Sequence, residues 1–167
     1  DPGKERDAAN TLMGQGADVL THHTDSTAVV AAAEEKGKMA VAYHSNMAKF
    51  GPKAQIAAVT HHWGDYYSER AQKAIDGTWE LKPIWGGIKE GMIKLEAVAE
   101  SVPKEVVDAM RKTEEEIRAG TFHPFTGPIK SNEGKEVLPK DAKATDEQLN
   151  AMNYYVDGVV GKVPSGK

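Results

Sequence analysis

The sequence predicts an α/β fold organised on a parallel sheet. Two observations carry that expectation. The first 45 residues alternate helix, strand, helix, strand, a pattern that calls for parallel strands joined by right-handed crossovers. Each short apolar strand is also followed at once by a polar cluster: His22-His23-Thr24-Asp25-Ser26, Tyr43-His44-Ser45-Asn46 and Thr60-His61-His62-Trp63-Gly64. In a parallel sheet those clusters lie at the carboxyl edge, where such folds bind ligands. The three strand ends are therefore expected to converge on one site.

Asp1 reads as an N-cap with Pro2 in the first helical position, opening a helix that runs to about Gln15. Ala8, Ala9, Leu12 and Met13 form its apolar stripe, and Gly14 and Gly16 end it. A helix that opens the chain has no strand to follow, so in a βαβ architecture residues upstream of Asp1 are expected. Ala17 to His23 reads as a short buried strand. Asp25 or Ser26 caps the next helix, which stops at Gly37. Met39 to Tyr43 and Gln55 to Thr60 are the next two strands, separated by a loop punctuated by Gly51-Pro52. The helix closed by Gly77 places Trp63, Tyr67, Ala71, Ala74 and Ile75 on one face.

Beyond Trp79 the pattern changes. Trp85 to Leu95 reads as strand or hairpin, with Lys89-Glu90-Gly91 as its turn. Pro103 opens a helix ended by Gly120. Phe122 to Val137 reads as a two-stranded ribbon around Ser131-Asn132-Glu133-Gly134. Thr145 and Gln148 form a capping box for a last helix, with Leu149, Met152, Tyr155 and Val156 facing inward.

Composition narrows the function. The 167 residues fit one domain, and 40% hydrophobic with 28% charged residues is the ordinary balance of a globular protein. A net charge of −4 argues against a general electrostatic grip on nucleic acid. The absence of cysteine excludes disulfides, thiolate metal sites and cysteine nucleophiles. No apolar run approaches the roughly 20 residues that span a bilayer, and no stretch reads as a signal peptide. The chain is read as cytoplasmic or as the mature part of an exported protein.

Histidine carries the chemistry to be weighed. Five of the six, His22, His23, His44, His61 and His62, follow the three strands. Imidazoles bind metals, move protons near neutral pH, or hydrogen-bond and stack on planar ligands. Neighbouring strand residues point to opposite faces, so each histidine pair offers one ligand per site. No HxxxH or HExxH spacing strengthens a metal reading. Without a GxSxG elbow, nucleophilic catalysis has no support either. Gly14-Gln15-Gly16 ends a helix rather than opening one, which sets aside a dinucleotide site. Trp63 at a strand-to-helix junction can wall a planar ligand or pack in a core.

Long stretches carry a resemblance. DPGKERDAAxxLxxQGADVL, HTDS, AYHSNMAKFGPKAQ, VTHHWGDYY, DGTW, WGGxKEGMxKL and FHPFTGPI together resemble the basic membrane protein family of ABC-transporter substrate-binding proteins. The match runs over essentially the whole chain. The resemblance implies a bilobed type I periplasmic-binding-protein fold, of which this chain is an incomplete parallel-sheet lobe with the first lobe largely missing. Residues 1–57 are then second-lobe βα units. Residues 58–80 make a hinge crossing and a first-lobe helix, and 81–167 return to the second lobe with a C-terminal hairpin and helix.

The resemblance also implies a function. It is that of a solute-binding protein for an ABC importer, with no catalytic role and no cofactor. A purine nucleoside or a base such as adenine binds between two lobes, and the partners are an ABC permease and the N-terminal lobe of the chain's own protein. The implied location is periplasmic or otherwise extracytoplasmic, with a lipid anchor open for the full-length protein. By position, the family's ligand-side glycine pair falls at Asp25-Ser26, beside Thr24. The carboxylate that grips ribose falls at His44, and a hinge lysine falls at His61, with Trp63 next. With His23, Ser45 and Asn46 these form the expected ligand-binding set. A neutral imidazole accepts one hydrogen bond where a carboxylate accepts two ribose hydroxyls, which favours a base over a nucleoside. The rival reading is a histidine-cluster metal-binding protein or metalloenzyme. An isolated piece of such a bilobed fold is expected to expose apolar surface and to be poorly stable alone or paired.

Overall fold

The computed structural model describes residues 1–164. These residues form two compact units, Asp1–Glu114 and a second beginning at Glu115. In chain order the elements are α1 (Pro2–Gly14), β1 (Val19–Thr21), α2 (Ala28–Glu35), β2 (Met39–His44), β3 (Gln55–His61), α3 (Gly64–Ile75), β4 (Ile93–Glu96), α4 (Lys104–Ala119), β5 (Ile129–Lys130), β6 (Glu136–Leu138) and α5 (Asp146–Asn150).

The first unit holds a four-stranded sheet in the order β1-β2-β3-β4. β1, β2 and β3 are parallel, as the alternation predicts, while β4 joins β3 antiparallel. Alternation along the strands sorts the residues by size. Leu20, Ala40, Ala42 and Ala58 are buried with Val29, Val30, Ala32 and Ala33 of α2 and with Ala9 of α1. Small alanines at facing positions let helix and sheet approach closely. Neighbouring positions hold larger side chains that stay more open: Val19 is 48% exposed and Met39 is 42% exposed, and Val41, Tyr43 and Val59 are half-buried.

The helix ends follow their predicted chemistry. Asp1 accepts from the backbone N–H groups of Gly3 and Lys4, and Pro2 needs no partner for the amide hydrogen it lacks. α2 closes in a Schellman turn, with Lys38 N–H bonded to the Ala33 carbonyl and Gly37 N–H to that of Glu34; this requires the positive φ of 62° that Gly37 supplies. The start of α2 differs from expectation. Its first residue is Ala28 and its N-cap position is Thr27, with no side-chain cap bond there. Ser26 Oγ instead accepts from Ala28 N–H.

One further stretch departs in part from the sequence reading. Trp85 to Leu95 is not a hairpin: it is irregular up to a turn at Lys89-Glu90-Gly91, and only β4 is strand, because its partner is β3. The Glu90 carboxylate, not a facing strand, takes the Gly87 N–H at 2.8 Å. α3 has the predicted amphipathic pattern but no buried residue, with Tyr67 and Ile75 at 62% and 79% exposed.

In the second unit the ribbon forms as β5 and β6, antiparallel and short. The capping box at Thr145 and Gln148 is present. The helix it opens is shorter than predicted and ends at Asn150. Met152, Tyr155 and Val156 lie beyond it, because that backbone pairs with the ribbon: Asn132 N–H donates to the Tyr155 carbonyl and Asp157 N–H to that of Lys130.

Exposed Trp79, Leu81, Ile84 and Trp85 add to the open sheet residues and the α3 stripe. Apolar surface of this kind drives association. Sedimentation and melting at several concentrations should therefore show a broad, low melt or concentration-dependent pairing. A sharp melt of a dilute monomer would contradict this.

Candidate functional site

Parallel pairing of β1, β2 and β3 sets three strand ends side by side, and the rings that follow them touch in a chain. His23 lies 4.3 Å from Tyr43 between ring centroids, tilted by 34°. The Tyr43 ring meets His44 edge-on at 5.4 Å and His61 at 5.2 Å. His44 and His61 are 6.5 Å apart, and His61 meets Trp63 edge-on at 6.2 Å. Trp63 continues to Tyr66 and Tyr67 on α3. An open hollow of about 510 Å³ adjoins the cluster, lined by Thr21, His22, His23, Ala42, Tyr43 and Val59.

The structure thus brings His23, His44, His61 and Trp63 together. Tyr43 at their centre belongs to the second polar cluster but is absent from the expected ligand-binding set. Its signal was available in the alternation of β2, where Val41 and Tyr43 stand opposite to the buried alanines 40 and 42.

The His61–His62 pair splits, whereas His22 and His23 both lie by Tyr43. His61 faces Tyr43 and Trp63. His62 turns instead to Glu96 on β4, with Nε2 3.2 Å from the carboxylate. Thr60 donates to the same carboxylate at 2.8 Å, and this bond, ahead of the His62 contact, holds Glu96 below the usual carboxylate range. His22, like His23, lies by Tyr43, edge-on at 6.4 Å; its Nδ1 donates to the Thr24 carbonyl at 3.1 Å, and its Nε2 is buried without a partner. Burial lowers the His22 pKa, which favours the neutral ring.

The hydroxyls of Thr24 and Ser26 are turned toward α1. Ser26 Oγ donates to Glu5, and Thr24 Oγ1 contacts His22 Nδ1 at 3.3 Å and also bonds Glu5. The bond from Ser26 is the leading reason that the Glu5 carboxyl titrates at about 2 instead of 4.5. Glu5 therefore clamps the loop that follows β1. No sequence signal marked it, since residue 5 reads only as an acid in a first helical turn. Asp25 contributes its carbonyl, which accepts from His44 Nε2 at 3.0 Å, and its carboxylate has no bond among the described residues.

His44 has a backbone conformation rare outside glycine. Its φ is 55°, and Ser45 N–H donates across it to the Tyr43 carbonyl at 2.8 Å. This is a tight three-residue turn of the strained kind. Such strain persists where surrounding structure over-determines it, and it clusters at ligand sites. Beyond Ser45, Asn46 Oδ1 accepts from Ala48 N–H and from Gln55 Nε2, and the buried Gln55 accepts from Met47 N–H.

Among the described residues no group of three or more His, Asp or Glu side chains is placed to hold a metal ion. The imidazoles here are engaged with rings, carbonyls and a carboxylate. No described helix is long and apolar enough to cross a membrane.

A parallel α/β unit with aromatic and polar side chains gathered at its carboxyl edge defines a ligand-binding fold. Residues 1–123 match the family model Bmp, ABC transporter substrate-binding protein PnrA-like, and the chain belongs to that family. A purine-binding protein of Brucella abortus (strain 2308) is 46% identical over 98% of this chain and 47% of its own length. A putative ABC transporter glucose-binding protein of Haloferax volcanii is 31% identical over 99% of this chain and 40% of its own. The chain spans under half the length of either relative.

Solved structures agree in fold. A transcriptional activator of the comK gene from Bacillus halodurans superposes with a TM-score of 0.66 at 21% identity, covering 74% of this chain and 44% of that one. An ABC transporter solute-binding protein from Conexibacter woesei gives 0.55 at 18% identity, covering 74% and 42%.

The Glu5 clamp makes a pH prediction. Its carboxyl binds a proton less readily folded than unfolded, so the stabilisation is complete above about pH 4.5 and is lost as pH falls toward 2. Amide shifts of residues 24–27 should follow that titration. In Glu5→Gln the same amides should lose the acid step; an unchanged acid profile would show that Glu5 does not hold the loop.

Proposed function

We propose that this chain is the solute-binding part of an ABC importer and that it binds a purine base or nucleoside in a cleft between two lobes. The observation that carries the reading is the run of rings His23, Tyr43, His61 and Trp63 across three strand ends. A flat heterocycle gains most from such a surface, because stacking needs only a π-face while neighbouring polar atoms supply orientation. The purine-binding name of the 46% identical relative supports the same ligand class. In this reading His23, His44, Ser45, Asn46, His61, Trp63 and the Asp25 carboxylate face the ligand. Thr24 and Ser26 shape the loop beside them.

Residues 1–57 and 81–167 belong to one lobe in this proposal, and 58–80 cross to the other and back. The absence of buried residues on α3 supports that assignment. The partners are an ABC permease and the rest of a bilobed protein, working outside the cytoplasm without catalysis. A base is favoured over a nucleoside because a neutral His44 imidazole accepts one hydrogen bond and cannot bridge two ribose hydroxyls.

Titration calorimetry with adenine, adenosine and glucose checks this. Adenine should bind most tightly, adenosine more weakly, and glucose not measurably. Tight adenosine binding without adenine would sink the preference for a base, and binding of glucose alone would sink the purine class.

A further inference from the structure

The hydrogen-bond partners at the end of β2 fix which atoms there can donate and which can accept. His44 Nε2 lies 3.0 Å from the Asp25 carbonyl oxygen. A carbonyl only accepts, so Nε2 carries a hydrogen. The second nitrogen of the neutral ring, Nδ1, is then a bare acceptor. It has no bond among the described residues. The bond to the Asp25 carbonyl holds the ring in this orientation.

Asn46 is set in the opposite sense. Met47 N–H donates to Gln55 Oε1 at 2.7 Å, which identifies the other end of the Gln55 amide as its donor. That donor meets Asn46 Oδ1 at 2.8 Å, and Ala48 N–H meets the same oxygen at 3.0 Å. Both lone pairs of Oδ1 are used. The Asn46 Nδ2 group keeps two hydrogens and no bond among the described residues.

We propose that the loop 44–46 selects a ligand edge bearing a hydrogen-bond donor for His44 Nδ1 and an acceptor for Asn46 Nδ2. This rests on the purine reading of the site and sharpens it. The ligand class becomes a neutral nitrogen heterocycle with neighbouring donor and acceptor, as on the amino edge of adenine. Rings that present acceptors alone are rejected, because the Nδ1 lone pair would be desolvated without a partner.

Two measurements test the proposal. Nitrogen-15 NMR of the labelled chain at pH 8 reads the imidazole tautomer with no ligand present. The proposal requires hydrogen on Nε2 of His44, and hydrogen on Nδ1 overturns it. Calorimetry then compares adenine with 9-methyl-6-(dimethylamino)purine, which has no N–H. Adenine should win by about tenfold or more.

That ratio should fall toward one in His44→Gly, a substitution the positive φ accommodates, since the acceptor is gone. A ratio that persists in His44→Gly reflects bulk and overturns the proposal. Asn46→Asp, which exchanges Nδ2 for an oxygen, should weaken adenine binding, and unchanged affinity overturns the Asn46 half. Equal binding of the two purines to the unaltered chain defeats the selection rule while leaving the purine reading intact. Binding of neither, with Nε2 protonated, defeats the purine reading and the ligand class built on it.

Discussion

The parallel pairing of β1, β2 and β3 is the constraint on which the candidate site depends. Register places Thr21 beside Val41 and His44 beside Thr60, so the chain leaves all three strands at one edge. Nothing local to any one polar cluster would bring His23 and His61 within reach of Tyr43. The small residues of the buried face make the pairing possible. Ala40, Ala42 and Ala58 let α2 lie close on the sheet, and its own Val30 and Ala33 are fully enclosed. Replacing one of these alanines by a larger residue would separate helix and sheet and disturb the spacing of the strand ends.

Behind the edge lies a second set of contacts that holds the loops still. Glu5 takes the hydroxyls after β1, Asp25 lends its carbonyl to His44, and Gln55 ties Asn46 to the backbone at Met47. Each bond also removes one donor or acceptor from the outward-facing inventory. The groups that remain differ from those a list of polar residues would give. Thr24 and Ser26 offer no free hydroxyl, whereas His44 and Asn46 offer one acceptor and one donor group. Preorganisation of this kind lowers the cost of ordering side chains on binding.

Much of the fold was legible because it rests on local chemistry. The Asp1 cap, the Gly37 stop, three parallel strands and the Thr145 capping box each follow from a few neighbouring residues. The opposite facing of His61 and His62 follows from strand geometry alone. What escaped was set by partners distant in sequence. Asp25 or Ser26 read as the helix cap, and Ser26 Oγ does accept from Ala28 N–H, but its bond to Glu5, 21 residues earlier, leaves no local trace. Residues 152–156 read as helix because their period fits one, yet the ribbon claims their backbone. The 85–95 stretch read as strand or hairpin; the strand formed, but not the hairpin, because its partner strand, β3, lies some 30 residues upstream. Tyr43 was named in its polar cluster but left out of the ligand-binding set, although β2 alternation sets it opposite the buried alanines. The family itself was legible from long motifs spread over the whole chain.

The central claim is that the carboxyl edge of the parallel sheet is where this chain meets a purine. Side-chain and amide NMR shifts during an adenine titration test it most directly. The account predicts that the largest changes fall on His23, Tyr43, His44, Asn46 and His61. Changes confined to the second unit, around the hollow of Phe125, Ile129 and Val156, or no saturable change anywhere, would contradict it.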